Sequence, residues 1–331
     1  MNNRKYYLDT IGGILLIHMI VGHCCQWSYT FSTYQTWTFW LDFFMPWFFF
    51  KAGLFFKSRP LKDELHKSFR RLINPYIYFS IIGTLLLWVK MGINGDLALR
   101  SLLSPIKNII FFGSAQGNLA LWFLLSLFVV KLSFSFIHTK ISLANVRFIK
   151  YLWVGVLCIW CLLFIPVYYL LAMNNIKYPL WLSNISSGML FFTIGYFLRD
   201  FKPNKILVLI LLIGYLLVMI FYPTTVNMRS GNLERGNFLL WVPTAVLGIL
   251  TFNSIFCIWL NKKNLLSTIG SKTMPYYCLH WCVIIVVSIF FITEPGIPNI
   301  PFLIALIISN LILLPTVTYL IERSIFSDII K

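Results

Sequence analysis

Acidic side chains are scarce in this chain: Asp and Glu number 10 against 27 Lys and Arg in 331 residues. Charged residues of both signs make up only 11% of the sequence, against 59% hydrophobic and 18% aromatic, whereas soluble domains are roughly a quarter charged. That shortage excludes an ordinary soluble globule. Long polar stretches are equally lacking. Apolar runs of membrane-spanning length recur from residue 8 to residue 321 and leave no room for a separate soluble domain. The expectation is one integral-membrane domain over residues 1–331. The seven cysteines all fall inside apolar runs, which excludes a secreted disulfide framework, and Cys158 and Cys161 read as packing within a helix. No cleavable leader is expected. Asp9 opens the first apolar run, and Cys24-Cys25-Gln26-Trp27 does not resemble a small-residue cleavage site.

What is present is a series of ten apolar segments, near 8–27, 37–56, 73–93, 119–138, 150–172, 181–198, 205–222, 238–260, 273–292 and 301–321. Each is close to the ~20 residues that cross a hydrocarbon core as a helix, so the fold class is all-α, a polytopic protein of about ten transmembrane helices. Residues 101–113 are apolar but too short to span, and fit the interface. The formal net charge of +17 invites a nucleic-acid reading, but the charges are sorted along the chain. With the N-terminus inside, inner segments hold 19 of the 27 basic residues, and outer segments hold only Arg100, Lys107, Lys177, Arg229 and Arg235. This bias places both termini in the cytoplasm, predicts a multi-pass protein of the inner (cytoplasmic) membrane in contact with lipid, and excludes nucleic acid as the partner.

An ionisable residue at membrane depth is a functional candidate, because lipid offers it neither water nor counter-charge. His23 is the foremost one, near the outer end of the first segment. On a helix, Asp9, Gly12 and His23 share a face, since steps of 11 and 14 residues fall about 20° past three turns and about 40° short of four. His18 points about 140° away from that face. A neutral imidazole can take a proton from a hydroxyl, because its unperturbed pKa near ~6.5 is close to working pH. Asp9 lies about 21 Å down the helix and cannot orient the ring, so the orienting group must come from another helix. Packing of the ring against neighbouring helices is the other reading. No metal is expected.

At this point the residues carry a resemblance. Tyr7-Leu8-Asp9-Thr10-Ile11-Gly12-Gly13-Ile14 followed by Val21-Gly22-His23 resembles the first-helix signature of the membrane-bound acyltransferase family 3, especially its sugar O-acetylase branch, that of fucose 4-O-acetylase. Phe44-Met45-Pro46-Trp47-Phe48-Phe49-Phe50 with Ala52-Gly53, Arg70-Arg71-Leu72-Ile73-Asn74-Pro75-Tyr76, Leu121-Trp122-Phe123-Leu124, and Ile269-Gly270 through Tyr277-Cys278-Leu279-His280-Trp281 follow in the family's order. The resemblance implies ten helices, a cytosolic acyl-CoA donor such as acetyl-CoA, and transfer to a hydroxyl of a saccharide or lipid-linked glycan, with His23 as the catalytic histidine. Two positions depart from the pattern. Gly12 stands where the family has Arg or Lys, and Phe44 where its second-helix motif has histidine.

Lys51, Arg59, Arg70 and Arg71 are expected to form a cationic vestibule for the phosphates of the acyl-CoA; snorkelling of Lys51 and anchoring of the arginines to anionic lipid would give the same charge run. Trp122 could be a platform for a sugar ring or part of the core. His280 is a substrate-contact candidate or a packing residue. Glu234 and Arg235 could meet a polar acceptor or belong to a solvated loop. Lys90 and Lys131 read as snorkelling or boundary residues. Two other functions remain consistent with the sequence: a transporter or flippase with His23, Lys51 and His280 along its path, and an acyltransferase relative inactivated by the loss of a basic side chain at Gly12.

Overall fold

The computed structural model describes residues 4–96, 98–143, 148–149, 151–160, 181–229, 232–291 and 294–324. Apolar runs this long become helices because a lipid-embedded backbone must satisfy its own hydrogen bonds. In chain order they are α1 (Tyr6–Trp27), α2 (Phe31–Thr38), α3 (Phe44–Leu54), α4 (Leu61–Ser68), α5 (Asn74–Ile93), α6 (Leu99–Phe112) and α7 (Trp122–Ser142). Then come α8 (Tyr151–Trp160) and α9 (Trp181–Phe197), α10 (Lys205–Phe221), α11 (Phe238–Trp259), α12 (Leu265–Ser271), α13 (Thr273–Ser288) and α14 (Ile300–Glu322). A short antiparallel hairpin, β1 (Thr225–Asn227) with β2 (Asn232–Arg235), joins α10 to α11.

Among the described residues, five helical stretches are long and apolar enough to cross a membrane: 6–27, 61–93, 119–142, 238–259 and 300–322. The third of these windows includes the 3₁₀ turn before α7, and the second is α4 and α5 joined by a π-helical turn at Phe69–Ile73. The expected segment 37–56 is not one helix. It breaks at Asp42-Phe43, leaving α2 and a 3₁₀ turn (Phe39–Leu41) on one side and an 11-residue α3 on the other. Segments 181–198, 205–222 and 273–292 become helices of 17, 17 and 16 residues. The far part of segment 150–172, with Cys161, lies outside the described residues. Stretch 101–113 forms amphipathic α6, closed by Gly113 in the left-handed conformation (φ 68°), a common helix stop.

α1 is the central helix: 72% of its most apolar window is buried, against 22% for α14. A helix apolar all round belongs in an interior. Two glycine contacts hold its neighbours closer than any larger side chain allows. Gly13 and Gly270 bring the backbones of α1 and α12 together, so that a Cβ on Gly13 would strike the Leu266 carbonyl. Outward faces carry exposed Leu85, Val89, Ile210, Ile220, Leu311 and Leu320, an apolar surface that fits lipid and not water. Asparagine caps open four helices, with Asn204, Asn237, Asn264 and Asn299 each accepting from a first-turn backbone N–H.

Candidate functional site

At the C-terminal end of α1 a cavity of about 260 Å³ opens between α1, α2, the α3 start, α13 and the hairpin. His18, His23, Tyr34, Gln35, Asp42, Trp122, Arg229, Glu234 and Trp281 are among the side chains lining it. α2 folds back over α1, so His18 and His23 face one cavity despite pointing in different directions on the helix. Tyr34 makes this closure: its hydroxyl lies 2.9 Å from the His18 carbonyl and 2.7 Å from His18 Nδ1. A carbonyl only accepts, so the phenol donates to it and His18 Nδ1–H donates to the phenol oxygen.

The same logic fixes the protons around His23. His280 Nδ1 lies 2.7 Å from the Tyr277 carbonyl, three residues earlier on α13. That nitrogen must donate, which leaves His280 Nε2 as an acceptor. His23 Nδ1 is 2.9 Å from it and therefore carries the hydrogen. His23 Nε2 is left with a free lone pair. The two rings are nearly parallel, 8° apart, and Trp281 braces His23 edge-on at 4.9 Å between ring centroids. His280 is fully buried; its helix is pinned by the Tyr277 hydroxyl donating to the Ala120 carbonyl and by Asn118 Nδ2 donating to the Cys278 carbonyl.

Of the outer-segment candidates, Glu234 lines the cavity and accepts from Gln35 Nε2 (2.6 Å) and Asn227 Nδ2 (3.1 Å). Arg235 places its guanidinium over Phe39, 5.2 Å from the ring centre. Trp122 is buried and lines the cavity. Arg229, only one polar residue among several when read in sequence, is the cavity's cation. It stacks on Phe112 at 5.8 Å, and its charge acts on His23. Burial pushes Arg229 below the ordinary arginine range, against an opposing influence from the Tyr277 phenol.

At the other end of α1, Lys51 belongs to a different cluster. Its ammonium lies 3.6 Å from an Asp9 carboxylate oxygen and 3.3 Å from the Leu8 carbonyl, and sits over Trp47. Arg4 pairs with the same Asp9 at 2.7 Å. A Cβ built on Gly12 would meet Lys51 Nζ at 3.3 Å and the Trp47 ring at 3.4 Å. The space at Gly12 is thus filled from α3 and not left open. Arg59 and Lys131 act on buried Glu64, and Arg59, Arg71 and Lys131 act on Lys67, so these residues form a second basic cluster at α4. Arg70 is exposed. Lys131 is no snorkelling residue: it pairs with Glu64 at 2.7 Å. Lys90 donates to Ser288 Oγ at 2.9 Å and lies over Trp27. Among the described residues, no three His, Cys, Asp or Glu side chains converge as a metal site.

A mostly helical bundle with several membrane-length apolar helices, and an imidazole lining a cavity at the end of α1, defines a membrane protein with a candidate site at that end. Comparison with family models sharpens the class: the acyltransferase 3 model, described as an acyltransferase domain, matches residues 5–318. The chain belongs to acyltransferase family 3 and is a membrane acyltransferase. No curated protein and no solved structure matches it.

Proposed function

We propose that this protein is an O-acetyltransferase of the cytoplasmic membrane, of the sugar O-acetylase branch, with ten spans, both termini inside and one domain. It moves an acetyl group from cytosolic acetyl-CoA, or another acyl group from its CoA thioester, to a hydroxyl of a saccharide or lipid-linked glycan. The observation that carries this reading is His23 in the cavity's lining, with Nδ1 tied to His280 so that Nε2 keeps its lone pair.

In the proposed reaction His23 Nε2 removes the acceptor's hydroxyl proton as the oxygen attacks the thioester carbonyl. The tetrahedral oxyanion collapses, the C–S bond breaks, and the proton on His23 passes to the departing thiolate, giving ester and free CoA. His280 acts as the positioning residue: it fixes the tautomer of His23 and stays in place as the ring gains and loses its proton. An acyl-histidine intermediate is an allowed variant. Trp122 supplies an aromatic wall for a sugar ring, and Glu234 with Gln35 offers hydrogen bonds to hydroxyls, with Arg235 next to Glu234 on β2.

The donor side rests on the opposite end of the bundle. Lys51 stands in for the missing basic side chain at Gly12, and Arg59, Arg70 and Arg71 supply charge for the CoA phosphates. The relocation of this cation favours an active enzyme over an inactivated relative. The test uses purified full-length protein with acetyl-CoA and a saccharide panel, following thiol release and ester formation. Wild type consumes donor only with acceptor present, and His23→Ala does not. Equal turnover by His23→Ala would remove the base. Saccharide movement across a vesicle wall without ester formation would favour a transporter.

A further inference from the structure

We propose that the acceptor carries a negative charge, carboxylate or phosphate, beside the hydroxyl that is acylated, and that Arg229 binds it. The inference rests on the acceptor-cavity reading above and narrows the substrate class. Acid scarcity is what makes Arg229 informative. The ion pairs of the described residues use Asp9, Glu64, Asp200 and Glu322, and none reaches Arg229. Its buried Nε has no hydrogen-bond partner among them.

A half-buried cation with its Nε out of water and no counter-charge among the described residues is costly. Asp42 and Glu234 also line the cavity, yet they act on each other, and Glu234 is engaged by Gln35 and Asn227. The cavity therefore has an acidic wall near α2 and a cation at Arg229, which shares the lining with the neutral His23. Phe112 supports the guanidinium from one side, which leaves its planar fork to take two oxygens of one anion. An acceptor with an anion at Arg229 and hydroxyls toward Gln35 and Asp42 would lie across the cavity, with an adjacent hydroxyl at His23. The anion has two chemical sources, a sugar carboxylate or the phosphate that links a sugar to its carrier.

The experiment measures binding to purified full-length protein, without acyl donor, by isothermal titration with three probes: methyl glucoside, methyl glucuronide and glucose 1-phosphate. One anionic probe is expected to bind about tenfold or more tighter than the glucoside, and which one identifies the source. Inorganic phosphate should compete with that probe in wild type and leave the glucoside unaffected. Arg229→Gln should erase the preference with the glucoside unchanged, Arg229→Lys should keep part of it, and His23→Ala should keep all of it. Equal binding of all three probes by wild type overturns the proposal. So does a preference that survives in Arg229→Gln, or Arg229→Gln protein that binds every probe as wild type does and fails only in turnover, which would assign the guanidinium to the reacting oxyanion. Because binding is read without donor, failure of acyl transfer and failure of anion recognition are separate results.

Discussion

At one end of α1, His23 faces an open cavity and is held by a neutral partner; at the other, Lys51 fills the space beside Gly12 and is held by a carboxylate. The two ends are about 16 Å apart by the helical rise over 11 residues. Their chemistry follows from their partners. An imidazole serves as a base only while one nitrogen keeps its lone pair, and the Tyr277 carbonyl, acting through His280, secures that without bringing in a charge. An ammonium at membrane depth needs the opposite treatment, and Asp9 with the Leu8 carbonyl supplies it. α1 thus presents a neutral imidazole to a cavity at one end and, at the other, receives a cation from α3 with Asp9 as its counter-charge.

The largest break in this comparison comes from His23→Ala. Loss of a positioned base lowers turnover by about 10²–10⁴-fold, while the protein elutes as a monodisperse wild-type-like species; size-exclusion and a thiol-release assay check both halves. Lys51→Ala should leave turnover at saturating donor far less affected, and equal losses at the two ends would dissolve the distinction.

His280 sharpens the first end. His280→Phe removes the acceptor for His23 Nδ1–H, and kcat should fall by about tenfold or more, the scale of a buried donor left unpaired, with donor KM unchanged. His280→Gln offers a carbonyl oxygen in its place and should recover part of the loss. A pH–rate profile distinguishes positioning from packing, because freeing the tautomer moves the profile whereas loosened packing lowers it uniformly. Rates and profile shape in both variants matching wild type would remove His280 from the mechanism.

Lys51→Met tests the second end and should raise the donor KM by about tenfold, the scale of one charge-assisted interaction. Gly12→Lys in the Lys51→Met background should restore it, since a side chain grown from Gly12 enters the same space. Donor KM unchanged in Lys51→Met would leave Lys51 a structural partner of Asp9. The smallest effect belongs to Glu234→Gln, which weakens a hydrogen bond from Gln35 and one from Asn227. Its acceptor KM should rise a few-fold, from about 0.5–1.5 kcal/mol, with donor KM constant.

These residues also mark what can be read from sequence. His23 stood out because polar groups are rare in apolar helices, and the need for an orienting group from another helix followed from the distance to Asp9. Its identity did not, because His280 lies 257 positions away and its anchor is a backbone carbonyl, that of Tyr277, which side-chain patterns do not single out. The break at Asp42-Phe43 was hidden because Phe and Trp continue the apolar run on both sides of it. That break lets α2 fold over the cavity, which is why His18 shares a site with His23 despite an unfavourable helical angle. Arg229 was visible only as one basic residue in an outer loop. What marks it is the lack, among the described residues, of an acidic partner in three dimensions, a property that spacing along the chain does not record.

The most direct test of the account is mass spectrometry of surface glycans from cells carrying wild-type protein, no protein, or His23→Ala. The account predicts an alkali-labile acyl ester with wild type only, on glycan that reaches the surface in equal amount in all three. An ester that persists with His23→Ala, or glycan that fails to reach the surface when the protein is absent, would contradict it.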